Sequence, residues 1–338
     1  MLKNINSLPE SFLTARPEQL LELLGGPSLV HLPGRREPPL FVSVLLHGNE
    51  TTGLLAVQHL LLKYKDQELP RALSLFIGNV EAAQSGLRRL AGQPDYNRVW
   101  PGSEEDDCPE QRMMAEIVDT MRARNVFASV DVHNNTGINP HYACTNIVNN
   151  RFMYLAALFS RTLVYFTRPT GVQSKAFSEI CPAVTVECGK VGQSAGVEHA
   201  SEFMEACLHL SEIPDHPVAA HDVDLFHTVA IVKVPRAFSF GFEDSQSDIS
   251  FLPDLDHLNF RELPAGFNLA KLNSTDATLE AWDEQGKDVA DRYFDTSKGV
   301  LRTTRPVMPS MFSLDERVIR QDCLGYLMER YSLPIKTD

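Results

Sequence analysis

The segment FVSVLLHGNETTGLLAVQHLLLKY (41–64) contains the pattern that decides the fold. Its first part, FVSVLL (41–46), is a short run of branched and apolar residues, which predicts a buried strand. A glycine-containing turn follows. TTGLLAVQHLLLKY (51–64) then has the apolar spacing that is typical of an amphipathic helix. We therefore predict a strand, a tight turn and a helix in immediate succession.

The same alternation of short apolar runs and amphipathic stretches continues to about residue 210. Further strands are predicted at ALSLFIGN (72–79), FASVDVH (127–133) and AVTVEC (183–188). Further helices are predicted at about 109–124, 151–161 and 197–210. Such alternation is typical of a largely parallel sheet that is covered by helices on both faces. We expect an α/β fold for this part of the chain.

The chain changes character after SEIPDHPVAAHD (211–222). The next segment, VDLFHTVAIVKVP (223–235), is strand-like, and the stretch to about residue 310 is broken by Pro, Gly, Asp and Asn. We therefore expect two domains, a catalytic domain over 1–213 and a smaller β-rich domain over 214–338. The segment 314–331 fits a helix and a strand pair equally well.

Composition restricts the classes of partner and the compartment. The 338 residues carry a formal net charge of -13, which gives a phosphate backbone no general electrostatic reason to bind. No window approaches the roughly 20 apolar residues of a membrane span, and the first residues do not resemble a signal peptide. The six cysteines form no CxxC pair. We expect a cytoplasmic protein with reduced thiols and neither nucleic acid nor membrane as a partner.

Three predicted strands end in residues that bind metals or move protons. In VSVLLHGNETTG, His47 follows the first strand and Glu50 opens the next helix, so both side chains can converge across the turn at Gly48. His133 ends the strand in ASVDVHNNTG, two residues after Asp131. Two histidines and a glutamate are a known set of ligands for catalytic zinc. Glu187 closes AVTVEC and faces the crevice where open α/β sheets bind ligands.

Each of these residues also has an ordinary structural interpretation. An HxxE pattern arises by chance, His133 fits a hydrogen-bonded histidine at a strand end, and Glu187 fits an ion pair with a neighbouring arginine. The joint occurrence of three mutually consistent groups at three strand ends favours the metal site. A carboxylate next to water on zinc also has an evident task, because zinc lowers the pKa of that water and the carboxylate accepts its proton.

The segment LRRLAGQPDYNRVWPG (87–102) offers groups for binding an anion. It contains Arg88, Arg89, Asn97 and Arg98, and its end reads as a loop. The planar guanidinium of arginine suits a carboxylate, and asparagine adds neutral donors. The alternative is a basic surface loop that balances EEDD (104–107). Next to a metal site, binding of a substrate carboxylate is the favoured interpretation.

These motifs together resemble the succinylglutamate desuccinylase and aspartoacylase family, which is related to the zinc carboxypeptidases. The matching pieces occur in the family's order: HGNETTG (47–53), YNR and WPG within DYNRVWPG (95–102), DVHNNTG (131–137) and TVECGK (185–190). The resemblance implies a zinc carboxypeptidase-like fold, with a mixed, mostly parallel sheet flanked by helices and a smaller β-rich C-terminal domain.

The resemblance also implies roles for individual residues. His47, Glu50 and His133 become the ligands of one Zn²⁺ per chain, and Glu187 becomes the general acid/base. Asn97 and Arg98 correspond to the pair that holds the substrate carboxylate. Of Arg88 and Arg89, which both compete to polarise the scissile carbonyl, we favour Arg89 as the catalytic arginine and place Arg88 with the substrate-binding residues.

One departure from the family bears on the substrate. Aspartoacylases carry an arginine about ten residues before the general base, for the second carboxylate of the substrate. This chain has Phe177 there, with Lys175 the nearest basic residue and Arg168 further back. Selectivity for an aspartyl substrate is therefore not expected.

The expected function is hydrolysis of the amide bond of a small carboxylated N-acyl amino acid, with N-succinylglutamate as the first choice. The alternatives are a metallocarboxypeptidase that acts on short peptides and a zinc-binding module without catalysis. A non-catalytic module does not need Glu187 or the Asn97–Arg98 pair, and this favours the enzyme. Whether the chain forms a homo-oligomer stays open.

Overall fold

The computed structural model describes residues 2–219 and 221–332. Within them the chain forms two compact units. The first comprises the chain up to Asn134 together with His141–Asp224, and the second comprises Asn135–Pro140 and the chain from Leu225 onward. The mixed α/β fold with a separate β-rich C-terminal part is confirmed. The division into a catalytic domain over 1–213 and a second domain over 214–338 stays a prediction about function.

The strands of the first unit belong to one mixed sheet. They are β1 (Lys3–Ile5), β2 (Ser28–Leu32), β3 (Leu40–Val44), β4 (Leu73–Ile77), β5 (Ala128–Asn135), β6 (Tyr142–Thr145), β7 (Thr162–Tyr165) and β8 (Ala183–Lys190). Their order across the sheet is β1-β2-β4-β3-β5-β8-β6-β7. The central strands β4, β3 and β5 run parallel, whereas β2 is antiparallel to β4 and β6 is antiparallel to β8. The predicted strands at 41–46, 72–79, 127–133 and 183–188 correspond to β3, β4, β5 and β8.

Helices pack on this sheet. They are α1 (Leu20–Leu24), α2 (Thr52–Lys63), α3 (Val80–Gln84), α4 (Pro109–Ala123), α5 (Asn150–Ala157), α6 (Gln173–Phe177) and α7 (Ser194–His209). In α4, proline occupies the first turn, where its missing N–H costs nothing, and the buried side chains recur at helical spacing. The long helices α2, α4, α5 and α7 lie where the apolar periodicity predicts helices.

The core under the sheet is aromatic around β3 and β4. Phe41 on β3 stacks on Phe177 with ring centroids 4.4 Å apart, and Trp100 meets Phe76 and Phe177 edge to face. These rings are essentially fully buried. Rings of this size bury much apolar area, and stacked and edge-to-face geometry adds a further contribution. The core therefore ties β3 and β4 to the loop that carries Trp100.

The second unit is rich in short strands. They are β9 (Asp224–Lys233), β10 (Phe240–Phe242), β11 (Ile249–Phe251), β12 (Asn268–Leu272), β13 (Glu280–Trp282), β14 (Phe294–Asp295), β15 (Val300–Thr303), β16 (Met308–Ser310) and β17 (Gly325–Arg330). Five of them form a sheet in the order β10-β11-β12-β15-β14. β9 pairs antiparallel with β13 and β17, and β17 pairs with β16.

The unit also contains the helices α8 (Ala290–Tyr293) and α9 (Glu316–Gln321). The segment 314–331, which fitted a helix or a strand pair, contains a helix, α9, and a single strand, β17, whose partners β9 and β16 lie outside it. Asp315 caps α9 by accepting hydrogen bonds from the backbone N–H groups of Arg317 and Val318. None of the helices described in residues 2–219 and 221–332 is long and apolar enough to cross a bilayer.

Candidate active site

The turn after β3 brings His47 and Glu50 together. Leu45 adopts a left-handed backbone conformation with φ of 56°, and the backbone N–H of Glu50 donates to the carbonyl of His47. Gly48 is required because a Cβ at this position would lie 2.2 Å from the backbone nitrogen of Ala83. As a result His47 Nδ1 lies 2.7 Å from Glu50 Oε1.

His133 reaches the same carboxylate from the interior of β5. Its Nδ1 lies 2.7 Å from Glu50 Oε2, and the backbone N–H of Asn134 donates to the same oxygen at 3.1 Å. One ligand-type atom from each of His47, Glu50 and His133 lies within 4.8 Å of the other two, and all three residues are buried. The structure therefore gathers the three predicted metal ligands at one point.

The far nitrogen of each imidazole also faces a carboxylate. His47 Nε2 lies 2.9 Å from Asp95 Oδ1, and His133 Nε2 lies 2.8 Å from Asp131 Oδ2. A histidine that binds a metal through one nitrogen usually donates its other N–H to such a group, which fixes the ring and makes it a stronger ligand. Both imidazole rings thus present Nδ1 to Glu50, and a carboxylate on the opposite side of each ring faces its Nε2.

The pKa shifts of His47, Glu50 and His133 indicate that a bound cation would take the place of protons in this cluster. Burial lowers the pKa of His133, but Asp131 and Glu50 outweigh it and hold that pKa well above its usual value. The pKa of His47 is raised in the same way, against burial and the charge of Arg88, by Glu50 and Asp95. Burial alone would raise the pKa of Glu50, yet the two histidines hold it well below its usual range. Because a carboxylate only accepts, each Nδ1 carries a proton that a divalent cation would replace.

Glu187 is the fourth predicted residue, and it lies on β8 directly opposite Tyr142 of β6. It is buried, and burial raises its pKa to about 7, with the charge of Glu50 adding to the rise and that of His133 opposing it. β8 is the neighbour of β5 in the sheet, and the side-chain amide of Asn134 donates to the carbonyl of Gly189 on β8 at 2.9 Å, so Glu187 lies on the strand next to His133. A carboxylate with a pKa close to neutral is suited to both taking and returning a proton.

The two candidate arginines have different surroundings. Arg88 Nη2 lies 3.0 Å from Asp95 Oδ2, and Arg88 Nη1 lies 3.5 Å from Glu50 Oε1. Arg89 donates to the backbone carbonyl of Gln93 at 2.8 Å. The contacts therefore bring Arg88 to the cluster, whereas the contact of Arg89 is with its own loop.

Asn97 and Arg98 lie at the same edge of the site. Asn97 is buried, and its Oδ1 accepts a hydrogen bond from the backbone N–H of Gln173 at 3.0 Å. That bond turns the amide nitrogen toward His133, with Nδ2 3.2 Å from Nε2. Arg98 is half-buried and donates to the carbonyl of Asn97 at 2.8 Å.

Phe177, which stands in place of the second-carboxylate arginine, and the nearest basic residues have other contacts. Phe177 is packed in the aromatic core. Lys175 donates to the carbonyl of Thr167 at 2.8 Å, and Arg168 pairs with Glu104 at 2.8 Å. None of these contacts involves the cluster.

The sequence interpretation gave no role to Asp95, Asp131 or Ser43, whose hydroxyl lies 2.6 Å from Asp131 Oδ1. A signal existed for Asp131, because residues two apart on a strand share a face and Asp131 precedes His133 by two. For Ser43 and Asp95 the sequence holds no such local signal, since their partners are distant in the chain.

Residues 37–213 match the sequence model described as the succinylglutamate desuccinylase/aspartoacylase catalytic domain. The match spans more than half of the chain, and the chain belongs to this family of amide-cleaving hydrolases, which act on acyl amino acids. The predicted family is thereby confirmed. No curated protein matches the chain.

Solved structures share the fold at low sequence identity. Succinylglutamate desuccinylase from Chromobacterium violaceum superimposes with a TM-score of 0.57 at 18% identity, over 89% of this chain and 87% of that one. Murine aminoacylase 3 gives 0.58 at 15% identity, over 88% and 96%. The product-bound ectoine utilization protein EutE from Ruegeria pomeroyi gives 0.54 at 15% identity, over 88% and 87%.

Proposed function

We propose that the protein is a zinc-dependent amidohydrolase that cleaves the amide bond of a small carboxylated N-acyl amino acid. The observation that carries the proposal is the convergence of His47, Glu50 and His133, with Glu187 on the neighbouring strand β8. Two imidazole nitrogens and a carboxylate oxygen suit zinc and leave a coordination position for water. Membership in an amide-cleaving family supports the same conclusion.

His47 and His133, through Nδ1, and Glu50, through its carboxylate, would hold one Zn²⁺. Bound zinc lowers the pKa of its water and polarises the substrate carbonyl. Glu187 accepts the proton of the attacking water and then returns it to the departing amine nitrogen, as a group with a pKa of about 7 can do in both directions. Breaking the C–N bond yields a carboxylate and a free amine.

We assign stabilisation of the negative charge on the carbonyl oxygen to Arg88 rather than Arg89. Arg88 is the arginine whose guanidinium lies beside Glu50. A positive group aimed at the developing charge is typically a large contribution to catalysis. Asp95 holds that guanidinium in place by accepting from Nη2.

Asn97 and Arg98 are proposed to bind the substrate carboxylate. The Asn97 amide nitrogen is oriented toward the cluster by the bond from Gln173, and Arg98 follows it on the same loop. Anchoring the carboxylate there would fix the position of the scissile carbonyl within the site. Positioning of this kind can lower the barrier, by at most about 7–11 kcal/mol in ideally oriented reactants.

N-succinylglutamate is the proposed first substrate. The neutral, buried Phe177 stands where aspartoacylases carry an arginine, so the chain departs from the aspartoacylases at this position. Related structures carry the names succinylglutamate desuccinylase and aminoacylase, so succinyl and acetyl groups are the acyl groups to compare. The six free cysteines support a reducing compartment, and we propose the cytoplasm.

The test is a hydrolysis screen of N-succinyl amino acids, N-acetyl amino acids and dipeptides. Zinc-loaded protein, chelator-treated protein and the Glu187→Gln variant are run side by side. We expect release of amine from N-succinylglutamate with zinc-loaded protein alone. Activity restricted to dipeptides would indicate a carboxypeptidase, and zinc binding without hydrolysis of any substrate would indicate a binding module.

A further inference from the structure

Ser43 and Asp131 form a buried polar pair in the middle of the apolar sheet. They are register partners on the neighbouring parallel strands β3 and β5, and both are 0% exposed. The flanking positions on both strands are buried valines. Interior strands of parallel sheets normally carry apolar residues, and a buried carboxylate is costly unless it is fully hydrogen-bonded. The pair therefore calls for a reason other than stability of the sheet.

The contacts of Asp131 supply that reason. Its Oδ1 accepts from the Ser43 hydroxyl at 2.6 Å, and its Oδ2 lies 2.8 Å from His133 Nε2. Since an ionised carboxylate only accepts, the hydrogen of the imidazole must lie on Nε2 for this contact to hold. Nδ1, which faces Glu50, is then the nitrogen that is left to bind a metal once its own proton is displaced.

Asn97 competes for the same ring nitrogen. Its amide N–H lies 3.2 Å from His133 Nε2, in an orientation fixed by the bond that its Oδ1 accepts from Gln173. If Asn97 donated to Nε2, the ring hydrogen of a neutral His133 would move to Nδ1 and block that position for a metal. Donation from Nε2 to Asp131 excludes this arrangement and keeps the Asn97 amide for another acceptor.

We propose that Ser43 and Asp131 are positioning residues, which fix the proton of His133 on Nε2 and so prepare Nδ1 for the metal and the Asn97 amide for the substrate carboxylate. This inference rests on the proposed metal site. Ser43 acts by locking the Asp131 carboxylate, and Asp131 acts by orienting the ring. Groups that orient a metal-binding histidine commonly change metal affinity by about 10–100-fold when they are removed.

The structure offers a matched control for the serine. Ser74 lies on β4, the strand next to β3, is also 0% exposed, and its hydroxyl lies 3.0 Å from Nδ1 of His31. Ser74→Ala thus removes the hydrogen bond of another buried serine in the same sheet, one made to the half-buried His31 and not to a residue of the cluster. A purely structural role of Ser43 would make Ser43→Ala behave like Ser74→Ala.

The experiment measures Co²⁺ and Zn²⁺ affinity by competition with a chromophoric chelator, together with the Co²⁺ absorption spectrum and KM. We expect Asp131→Asn to weaken metal binding by about 100-fold and Ser43→Ala by about tenfold, each with an altered Co²⁺ spectrum. Ser43→Thr, which keeps the hydroxyl, should recover most of the affinity. Asp131→Asn should also raise KM, because Asn97 then turns to His133. Ser74→Ala should change none of these values.

The proposal would be overturned if Ser43→Ala and Asp131→Asn kept the wild-type metal affinity and Co²⁺ spectrum and lost no more stability than Ser74→Ala does. If Asp131→Asn does not fold, the comparison of Ser43→Ala with Ser74→Ala and Ser43→Thr decides it alone. Failure of the folded wild-type protein to bind either metal would instead refute the metal site itself.

Discussion

His47 and His133 reach the candidate metal site from two different kinds of backbone. His133 lies inside β5, and Asp131, the carboxylate that faces its Nε2, is two positions earlier on the same strand. His47 lies in a turn, and Asp95, the carboxylate that faces its Nε2, comes from a loop 48 residues away in the chain. His133 and Asp131, the strand half of the site, are brought together mainly by the alternation of side chains along β5. His47 and Asp95, the loop half, are brought together by contacts between segments that are distant in the chain. Glu50 joins the halves through its two oxygens.

Replacing Glu50 should break both halves at once and give the largest effect. Glu50→Gln removes the charge that both imidazoles face, so we expect at least a thousandfold loss of zinc affinity and no measurable turnover. Zinc content after dialysis and amide hydrolysis check this. Glu205→Gln, which removes a carboxylate bonded to Lys63 in the same unit, should keep both properties. Retention of zinc by Glu50→Gln would exclude Glu50 as a ligand.

Replacing Glu187 should leave both halves intact and stop the reaction. Glu187→Gln keeps the side-chain shape but cannot accept a proton, and we expect kcat to fall by about 10²–10⁴-fold with zinc still bound. Single-turnover kinetics and metal analysis on the same preparation measure the two properties. Full activity in this variant would remove Glu187 from the proposed mechanism.

Much of this arrangement is predictable from the sequence because it is local. Apolar runs give β3, β5 and β8, and the strand ends give His47, His133 and Glu187. The partners across the chain are not predictable in this way. The loop 87–102 has no regular period, so sequence spacing favoured Arg89, while the folded loop points the neighbouring Arg88 at Glu50. The strands β2, β6 and β7 were also missed, because the polar His31 interrupts the apolar run of β2 and because β6 and β7 have only four residues each.

The two arginines test the loop half directly. Arg88→Ala should lower kcat by about 10²–10³-fold, as loss of a group that stabilises an oxyanion does. Arg89→Ala should stay within about threefold of wild type, because its contact is a backbone carbonyl of its own loop. Michaelis kinetics on both variants decide between them. A larger loss for Arg89→Ala would restore the assignment made from the sequence.

The pH dependence of stability tests the surroundings of Glu187 in metal-stripped protein. Its pKa is raised to about 7 in the folded state, so the folded state keeps a proton that the unfolded chain has lost. Stability from this group is therefore full below about pH 4.3 and falls as the pH rises toward 7, by roughly 3 kcal/mol in total. The Glu187→Gln variant has no titrating group at this position, so its stability should not fall in this way. Denaturant titrations should show that the free energy of unfolding of the variant rises relative to that of the wild type between pH 4 and pH 8. A difference that stays constant over this range would contradict the assigned pKa.

The loop half should also respond to a second substitution in a way that the strand half does not. Asp95 accepts from His47 and from Arg88, so Asp95→Asn leaves the Arg88 guanidinium beside Glu50 without its carboxylate partner. Arg88 would then compete with the metal for Glu50, and we expect affinity to fall about tenfold. Adding Arg88→Met should restore part of it, because the competing charge is gone and contacting residues are not additive. The same addition should not rescue Asp131→Asn, since Asp131 orients His133 from within the sheet, and equal rescue in both backgrounds would show that the two halves are not distinct.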